Sequence, residues 1–340
     1  MITIDGSQGE GGGQILRTSL ALALITGEAI RLENIRAGRK KPGLLNQHLT
    51  AVNAAATISH AQVAGAVLGS PMLEFQPGAV LPGDYRFAVG TAGSATLVLQ
   101  TILPPLLTAA ERSSLTLAGG THNPAAPPFD FLQRCFAPQI ERMGPRIELQ
   151  LHRPGFYPAG GGSFQARIEP VKRLAVVDLS TRGKVQVRWA RAIVSKLPAS
   201  IGEREIAVVR GELGWAEDEC TVESAANPAG PGNVLLLELQ AEHVTAMFTG
   251  FSERGRPAEE VARQAVAAAK AWLDAGVPVD EHLADQLLLP MALAGGGSFR
   301  TVKPTPHSTT NADVIQRFLP VAIHFEAESA TLWRVTIKAK

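Results

Sequence analysis

The residues with the clearest chemical potential lie near the two ends of the chain. At the amino end, residues 5–17 read DGSQGEGGGQILR and include Glu10, Gln14 and Arg17. Glycines let the backbone approach a ligand closely, and the free N–H groups at a helix start favour negative charge. The stretch therefore predicts a phosphate or carboxylate site, although a simple turn before a helix fits the pattern equally well.

Glu10 is the best single carboxylate for holding a divalent metal beside a phosphate. Mg²⁺ and Mn²⁺ prefer hard oxygen ligands, and Mg²⁺ commonly keeps several waters beside one or two carboxylates. A carboxylate next to a helix start also stabilises the helix dipole, and this alternative fits Glu10 equally well.

His307 lies in a stiff segment near the carboxyl end, where residues 303–311 read KPTPHSTTN. We expect the segment 303–309 to be a loop that leads into a helix over 310–319. A histidine held at a helix N-terminus has a lowered pKa, so it is neutral and nucleophilic at pH 7. The alternative is a loop histidine with only local hydrogen bonds.

A basic cluster, residues 36–41 (RAGRKK), precedes a predicted helix from Pro42 to about Ile58. Four cations in six residues suit a polyanion, but a solvated loop has the same composition. His48 lies on that helix, where a packed histidine is the plain interpretation. Further along, Asp285 and Gln286 lie on a predicted helix over 280–294. They could bond an adenine edge or a ribose, or they could face solvent.

Composition limits the classes of protein that fit. The chain has 340 residues, 45% of them apolar, and a formal net charge of +1, so any nucleic-acid contact must come from a local basic cluster. The two cysteines, Cys135 and Cys220, lie far apart, which argues against a disulfide framework or a thiolate zinc site. We see no signal peptide or membrane-spanning run and expect a cytoplasmic protein.

The elements that must position these residues repeat along the chain. The order strand, helix, strand, helix, strand, strand occurs near residues 2–75 and again over 85–168, and a third copy uses 174–179 and 280–337. We predict an α/β (α+β) fold with a large three-unit domain, residues 1–181 and 277–340, and a smaller α/β domain inserted at 182–276.

Pseudo-symmetric packing of the three units would bring their equivalent loops together. The loops before the second helices are residues 36–42, 119–128 and 303–309, and they hold the basic cluster, His122 and His307. We therefore expect the three loops to converge on one cleft.

With these residues in view, the chain resembles the RNA 3′-terminal phosphate cyclase family nearly end to end. Several long motifs in a fixed order carry the resemblance. They are residues 5–17, 36–39, 41–45, 47–51, 119–121, 126–128, 155–162, 283–286 and 306–307.

The resemblance implies an ATP-dependent ligase that acts on RNA. His307 would attack the α-phosphorus of ATP to give a covalent histidine-AMP, with loss of pyrophosphate. The AMP would pass to an RNA 3′-phosphate, and the neighbouring 2′-oxygen would close a 2′,3′-cyclic phosphate and expel AMP. The 2′-hydroxyl that this chemistry needs distinguishes RNA from DNA.

The resemblance also implies roles for individual residues. Glu10 would hold the Mg²⁺ or Mn²⁺ with Gln14 near it, and three arginines would clamp phosphates with Gln47 and His48 beside them. The arginines are Arg17, Arg36 and Arg39. The nucleotide pocket would be formed by Gln100, Pro127, His282, Leu283, Ala284, Asp285 and Gln286.

One position departs from the family. Its members often have tyrosine where this chain has His282, which leaves an aromatic contact to adenine in doubt, although imidazole can also stack. Two other interpretations stay open: a non-catalytic cyclase-like protein of ribosome assembly, and an enolpyruvyl-transferase-like enzyme of related fold. The sequence leaves the oligomeric state open.

Overall fold

A computed structural model describes residues 1–340 and shows helices packed on four four-stranded sheets. The strands, in chain order, are β1 (Ile2–Asp5), β2 (Ile30–Glu33), β3 (Gln62–Ala64), β4 (Leu73–Gln76), β5 (Asp84–Ala88), β6 (Ser113–Gly119), β7 (Arg146–Arg153), β8 (Gly162–Glu169), β9 (Asp178–Leu179), β10 (Val185–Ser195), β11 (Cys220–Ser224), β12 (Gly232–Ala241), β13 (Thr245–Phe251), β14 (Gly296–Thr301), β15 (Val321–Ala327) and β16 (Trp333–Ala339).

The helices carry most of the residues singled out above. They are α1 (Gly13–Thr26), α2 (Asn46–Thr57), α3 (Ala95–Leu106), α4 (Phe129–Phe131), α5 (Ala137–Glu141), α6 (Ser200–Leu213), α7 (Ala258–Ala275), α8 (Glu281–Leu293) and α9 (Pro306–Phe318). A π-helical turn, Leu132–Phe136, joins α4 to α5. No helix combines the length and the apolar character that crossing a membrane would require.

Three of the sheets share one strand order. In the sheets β1-β2-β4-β3, β5-β6-β8-β7 and β9-β14-β16-β15, the first pair is parallel and the other two pairs are antiparallel. The predicted α/β class is confirmed, and the shared order supports the proposed repeat. The predicted opening strand of the third unit is β9, which has only two residues.

The fourth sheet, β11-β10-β12-β13, is formed entirely by residues within 182–276. Helices α6 and α7 pack on it, and Gly202 of α6 lies against Ala192 and Val194 of β10. This arrangement supports the proposed division into a large domain and an inserted domain. Strand β11 was not predicted, because this edge strand has only five residues and none of them is fully buried.

Two predicted helix starts were wrong, and local backbone chemistry explains both. Helix α2 begins at Asn46 rather than Pro42 because Gly43 turns the chain at a φ of +75°, a conformation that glycine tolerates. Helix α9 begins at Pro306 rather than Thr310, since Thr305 caps it and accepts a hydrogen bond from the Ser308 N–H at 3.3 Å. His307 therefore lies in the first helical turn, not in a loop.

Helix α1 is central because it packs against α2, α3 and α9. Its apolar run from Leu20 to Leu24 is buried, and Gly27 ends the helix with a left-handed φ of +75°. The predicted C-cap at Gly27 is thereby confirmed. Because its first turn lies beside the start of α9, α1 brings the two ends of the chain together.

Candidate functional site

A cavity of about 630 Å³ lies where the three predicted loops meet. The three loops contribute Arg36 and Arg39, residues 124–128, and Thr305 with His307, so the predicted convergence is confirmed. Thirteen of the predicted site residues line this cavity: Glu10, Gln14, Arg17, Arg36, Arg39, Gln47, His48, Gln100, Pro127, His282, Asp285, Gln286 and His307.

The glycine turn before α1 is shaped to fit against α9. Gly9 has a φ of +57°, and a Cβ at this position would collide with the side chain of Thr310. The neighbouring Glu10 N–H donates a hydrogen bond to Thr310 Oγ1 at 3.0 Å. These contacts place Glu10 and the start of α1 beside His307, almost 300 residues later in the sequence.

A chain of hydrogen bonds orients His307. The Gln14 amide nitrogen donates to the Asp285 carboxylate, so the Gln14 carbonyl oxygen faces His307 Nδ1 at 3.1 Å. An amide oxygen only accepts, and Nδ1 must therefore carry the ring proton. In the neutral ring, Nε2 then keeps its lone pair, and this atom lies 3.7 Å from Glu10 Oε1. The relay Asp285–Gln14–His307 therefore leaves an unprotonated Nε2 on the neutral ring.

The charge state of His307 agrees with the prediction. Burial lowers the pKa of His307, and Arg17 and Arg39 lower it further, while the Asp285 carboxylate opposes them. The imidazole is neutral at pH 7. Asp285 itself is held by Asn311, whose amide nitrogen donates to the Asp285 carboxylate at 3.1 Å and to its backbone carbonyl at 3.0 Å.

Glu10 has one carboxylate oxygen that is free to bind a cation. Arg39 pairs with one of its carboxylate oxygens, but Oε2 is buried and has no hydrogen-bond partner. A buried carboxylate oxygen without a partner is costly unless a donor or cation occupies it. No group of three acidic, histidine or cysteine side chains forms a metal cluster. Glu10 therefore suits a cation whose other ligands are water and phosphate oxygens.

The start of α1 offers backbone and side-chain donors to an anion. Gly12 and Gly13 line the cavity, and α1 begins without a side-chain cap. A Cβ at Gly12 would meet the Glu10 carboxylate, and one at Gly13 would meet the His48 ring. Arg17 makes no hydrogen bond or ion pair within the chain. Burial lowers the pKa of Arg17 to about 10, so it stays charged at pH 7.

Arg36 and His48 both make hydrogen bonds to the backbone of the loop between them. Arg36 donates to the carbonyls of Lys41 and Gly43 at 2.6 and 2.8 Å, which holds the basic loop in place. His48 is buried, and its Nδ1 accepts the Leu45 N–H at 3.1 Å. Burial, with Arg17 and Arg36 nearby, lowers the pKa of His48 to about 3. His48 is a neutral hydrogen-bond donor through Nε2, not an acid or a base at neutral pH.

The opposite wall of the cavity carries amides and apolar side chains. Gln47 accepts the Ser94 N–H at 2.9 Å, and Thr96 Oγ1 donates to the Pro127 carbonyl at 2.8 Å, so both loops are fixed. Gln286 Oε1 is buried without a partner and is free to accept a hydrogen bond from a ligand. This wall can bind a flat heterocycle and read its edge.

Two predicted pocket residues lie elsewhere. Leu283 and Ala284 are buried in the apolar core and do not line the cavity. Their neighbours His282, Asp285 and Gln286 project from the other side of α8, because a helix distributes consecutive side chains around its axis. His122, which belongs to the second converging loop, is also buried outside the cavity.

The sequence analysis missed three residues of the inserted domain that line the same cavity. They are Met247, Thr249 and Phe251, on alternate positions of β13. Alternate residues of a strand share one face, so the spacing was a usable signal once β13 was known to border the site. The segment 182–276 therefore contributes part of the cavity wall.

Comparisons with known proteins agree on one family. The model of the family described as RNA 3′-terminal phosphate cyclase matches residues 8–325. A protein of Koribacter versatilis with that name is 54% identical over 328 residues, which cover 96% of this chain and 92% of the relative. A namesake from Pseudomonas fluorescens is 50% identical over 339 residues, covering 100% and 98%. One from Salmonella enteritidis is 48% identical over 337 residues, covering 99% of each.

Proposed function

The chain belongs to the RNA 3′-terminal phosphate cyclase family and is an enzyme of the ligase class, and from this premise we propose its substrates and mechanism. The proposed reaction converts an RNA 3′-terminal phosphate to a 2′,3′-cyclic phosphodiester at the expense of ATP. It proceeds through a covalent histidine-AMP and an RNA-adenylate, and it releases pyrophosphate and AMP.

The observation that carries this proposal is the relay Asp285–Gln14–His307. The Gln14 carbonyl oxygen accepts a hydrogen bond from the Nδ1–H of His307, burial keeps the ring neutral, and Nε2 keeps its lone pair on a residue that lines the cavity. A scaffold protein or an enolpyruvyl transferase has no need of an oriented histidine nucleophile. The arrangement therefore favours the adenylylating enzyme over both alternatives.

The proposed reaction has three steps, and in each one a bond to phosphorus forms and another breaks. In the first, the Nε2 lone pair of His307 forms a bond to the α-phosphorus of ATP, and the bond to pyrophosphate breaks. In the second, an oxygen of the RNA 3′-phosphate attacks the same phosphorus, and the N–P bond breaks. In the third, the 2′-oxygen attacks the 3′-phosphorus, the 2′-hydroxyl proton leaves to solvent, and AMP departs.

The cations around Nε2 would stabilise the charge that develops on the transferred phosphoryl group. Arg17 has no partner within the chain and is the best placed to bind a phosphate, while Arg36 and Arg39 line the same cavity. Glu10 would hold the Mg²⁺ or Mn²⁺, which when bound would neutralise phosphate charge. His48 would donate a hydrogen bond and Gln47 would support the loop beside it.

The nucleoside of ATP would occupy the wall formed by Gln100, Pro127, His282, Asp285 and Gln286, with β13 opposite. His282 is exposed at the mouth of the cavity and could stack on adenine. Leu283 and Ala284 would support this wall from the core. The RNA end would enter beside the basic cluster, and a cytoplasmic location suits such a substrate.

Labelling of the protein with α-labelled ATP and Mg²⁺ tests the proposal. We expect acid-labile label on the wild-type chain and none on His307→Ala. His152→Ala is the matched control, because His152 is exposed on β7 and lies outside the cavity. Full labelling of His307→Ala would show that His307 is not the nucleophile. An unlabelled wild type would favour the non-catalytic cyclase-like alternative.

A further inference from the structure

A buried ionic cluster joins the two domains beside the cavity. Asp130 of α4 is buried, and its Oδ2 lies 2.8 Å from His122 Nε2. Its Oδ1 accepts a close hydrogen bond from Arg191 of β10, in the inserted domain. Burial would raise the pKa of Asp130, but the His122 hydrogen bond and the Arg191 charge outweigh it and lower the pKa to about 2. The carboxylate is therefore charged at every pH of interest.

On the large-domain side, Asp130 lies directly behind the wall of the cavity. Pro127 and Pro128 lie three and two residues before it, Phe131 directly follows it, and all three line the cavity. His122 stacks on Phe156 with ring centroids 5.3 Å apart, and a Cβ at Gly232 of the inserted domain would collide with Phe156. The contacts around Asp130 therefore fix the loop that precedes α4 and the surface on which the inserted domain packs.

On the inserted-domain side, strand register connects Arg191 to the opposite wall. Arg191 pairs with Leu236 of β12, which pairs with Thr249 of β13, and directly opposite residues of antiparallel strands share a face. Thr249 lines the cavity. Arg191, Leu236 and Thr249 therefore form a row across the sheet. Since neighbouring strands lie about 4.8 Å apart, Thr249 in the cavity wall is about 10 Å from Arg191.

A second ion pair between the two domains lies two residues further along β12 than Leu236. Arg134, in the π-helical turn after Asp130, lies 3.1 Å from Glu238 of β12. Glu238 is directly opposite Met247 of β13, which also lines the cavity. The same sheet face therefore carries both ion pairs and the cavity-lining residues of β13.

We infer that Asp130 is a positioning residue of the nucleotide pocket. Its pairing with Arg191 holds the β10–β13 sheet face at a fixed distance from the loop of Pro127, so that ATP binds between the two domains. The inference rests on the proposed function only in naming ATP as the occupant. Neither Asp130 nor Arg191 lines the cavity, so both act through Phe131, Pro127 and β13.

The variants Asp130→Asn and Arg191→Gln test this inference in the full-length protein. We expect each to raise the KM for ATP in the labelling reaction about tenfold, with a change of less than about threefold in rate at saturating ATP, because the pocket is displaced while His307 is untouched. Arg191→Lys should recover part of the loss, because it keeps the charge but not the planar fork.

Glu219→Gln provides the matched control. It removes the partner of Arg188, an ion pair of 2.6 Å on the same strand as Arg191 but on the other face. We expect wild-type KM and rate from this variant. Hydrogen exchange over residues 124–131 and 245–251 supplies a readout independent of activity, and it should quicken in Asp130→Asn and Arg191→Gln but not in Glu219→Gln.

Wild-type KM and wild-type exchange in Arg191→Gln would overturn the inference, and so would a loss of saturating rate at unchanged KM. Arg191 decides the matter if Asp130→Asn does not fold, since the Arg191 side chain is 19% exposed and easier to replace. A wild-type protein without affinity for ATP would defeat the proposed function instead. The exchange data would then still decide whether Asp130 and Arg191 hold the two domains together.

Discussion

Glu205 in the inserted domain allows a quantitative prediction about stability. It lies on α6 with no exposed surface, and its Oε2 accepts a hydrogen bond of 2.9 Å from the Asn233 amide. Glu205 Oε1 and Asn233 Oδ1 are both buried without partners. A proton on Glu205 could satisfy both oxygens at once, because a carboxylic acid and an amide can form two complementary hydrogen bonds.

The pKa of Glu205 follows from this environment. Burial raises the pKa of Glu205 to about 7, although the Asn233 hydrogen bond and Arg204 oppose the rise. Since the folded pKa exceeds the unfolded one, the folded protein binds more protons between the two values, and the stabilising contribution is complete only below the unfolded pKa. Stability is therefore lost as the pH rises from about 4.5 to about 7.

The size of the loss comes from the difference between those two pKa values. At 1.36 kcal/mol for each pH unit, it is about 3 kcal/mol. Glu205→Gln has the same shape and keeps an amide donor for Asn233 at every pH. We expect it to remove this loss, so that the variant exceeds the wild type by about 3 kcal/mol in free energy of unfolding at pH 8.

Urea unfolding of the full-length protein at pH 5 and at pH 8 measures the difference. Glu203→Gln is the matched control, since Glu203 is exposed on the same helix, and it should follow the wild type. Glu205 is not the source of the loss if Glu205→Gln and the wild type lose stability in parallel between the two pH values. A variant less stable than the wild type at pH 8 would refute it equally.

Three predictions concern the candidate site. Gln14→Ala should slow covalent labelling by about a hundredfold without loss of thermal stability, since Nδ1 loses its acceptor; an unchanged rate in single-turnover labelling would contradict this. The midpoint of the pH profile of labelling should lie below 6.5, the pKa of an ordinary histidine, because burial lowers the pKa of His307. A midpoint at 6.5 or above would contradict this. Removal of divalent ions with EDTA should stop labelling, and Glu10→Gln should need more Mg²⁺ than the wild type for a half-maximal labelling rate. Titration of Mg²⁺ at fixed ATP measures this requirement. Equal requirements in both proteins would exclude Glu10 as the metal ligand.

Local sequence predicted most of the elements and the family. The glycine stretch predicted a turn before a helix, Gly27 predicted the end of that helix, and the two prolines before His307 predicted a stiff segment there, although the start of its helix was placed four residues too late. These features depend on backbone preferences within a few residues, which the sequence states directly. The ordered motifs identified the family for the same reason, because each motif is a short local pattern.

Tertiary structure alone decided which side chains meet. Gln14 and His307 are 293 residues apart, and only the packing of α9 on both α1 and α8 makes Gln14 the link between His307 and Asp285. The sequence placed Leu283 and Asp285 on one helix but could not say which face of α8 meets the core. That choice depends on the other elements packed around it.

The inserted domain shows the same division between local pattern and packing. Three of its four strands, β10, β12 and β13, were predicted from the sequence pattern, in which alternation shows that one face of a strand differs from the other. Alternation does not tell which face meets the large domain, and so Thr249 and Arg191 were not connected with the site. The pairing of Arg191 with Asp130 supplies that information, because an ion pair between distant segments forms only in the folded protein.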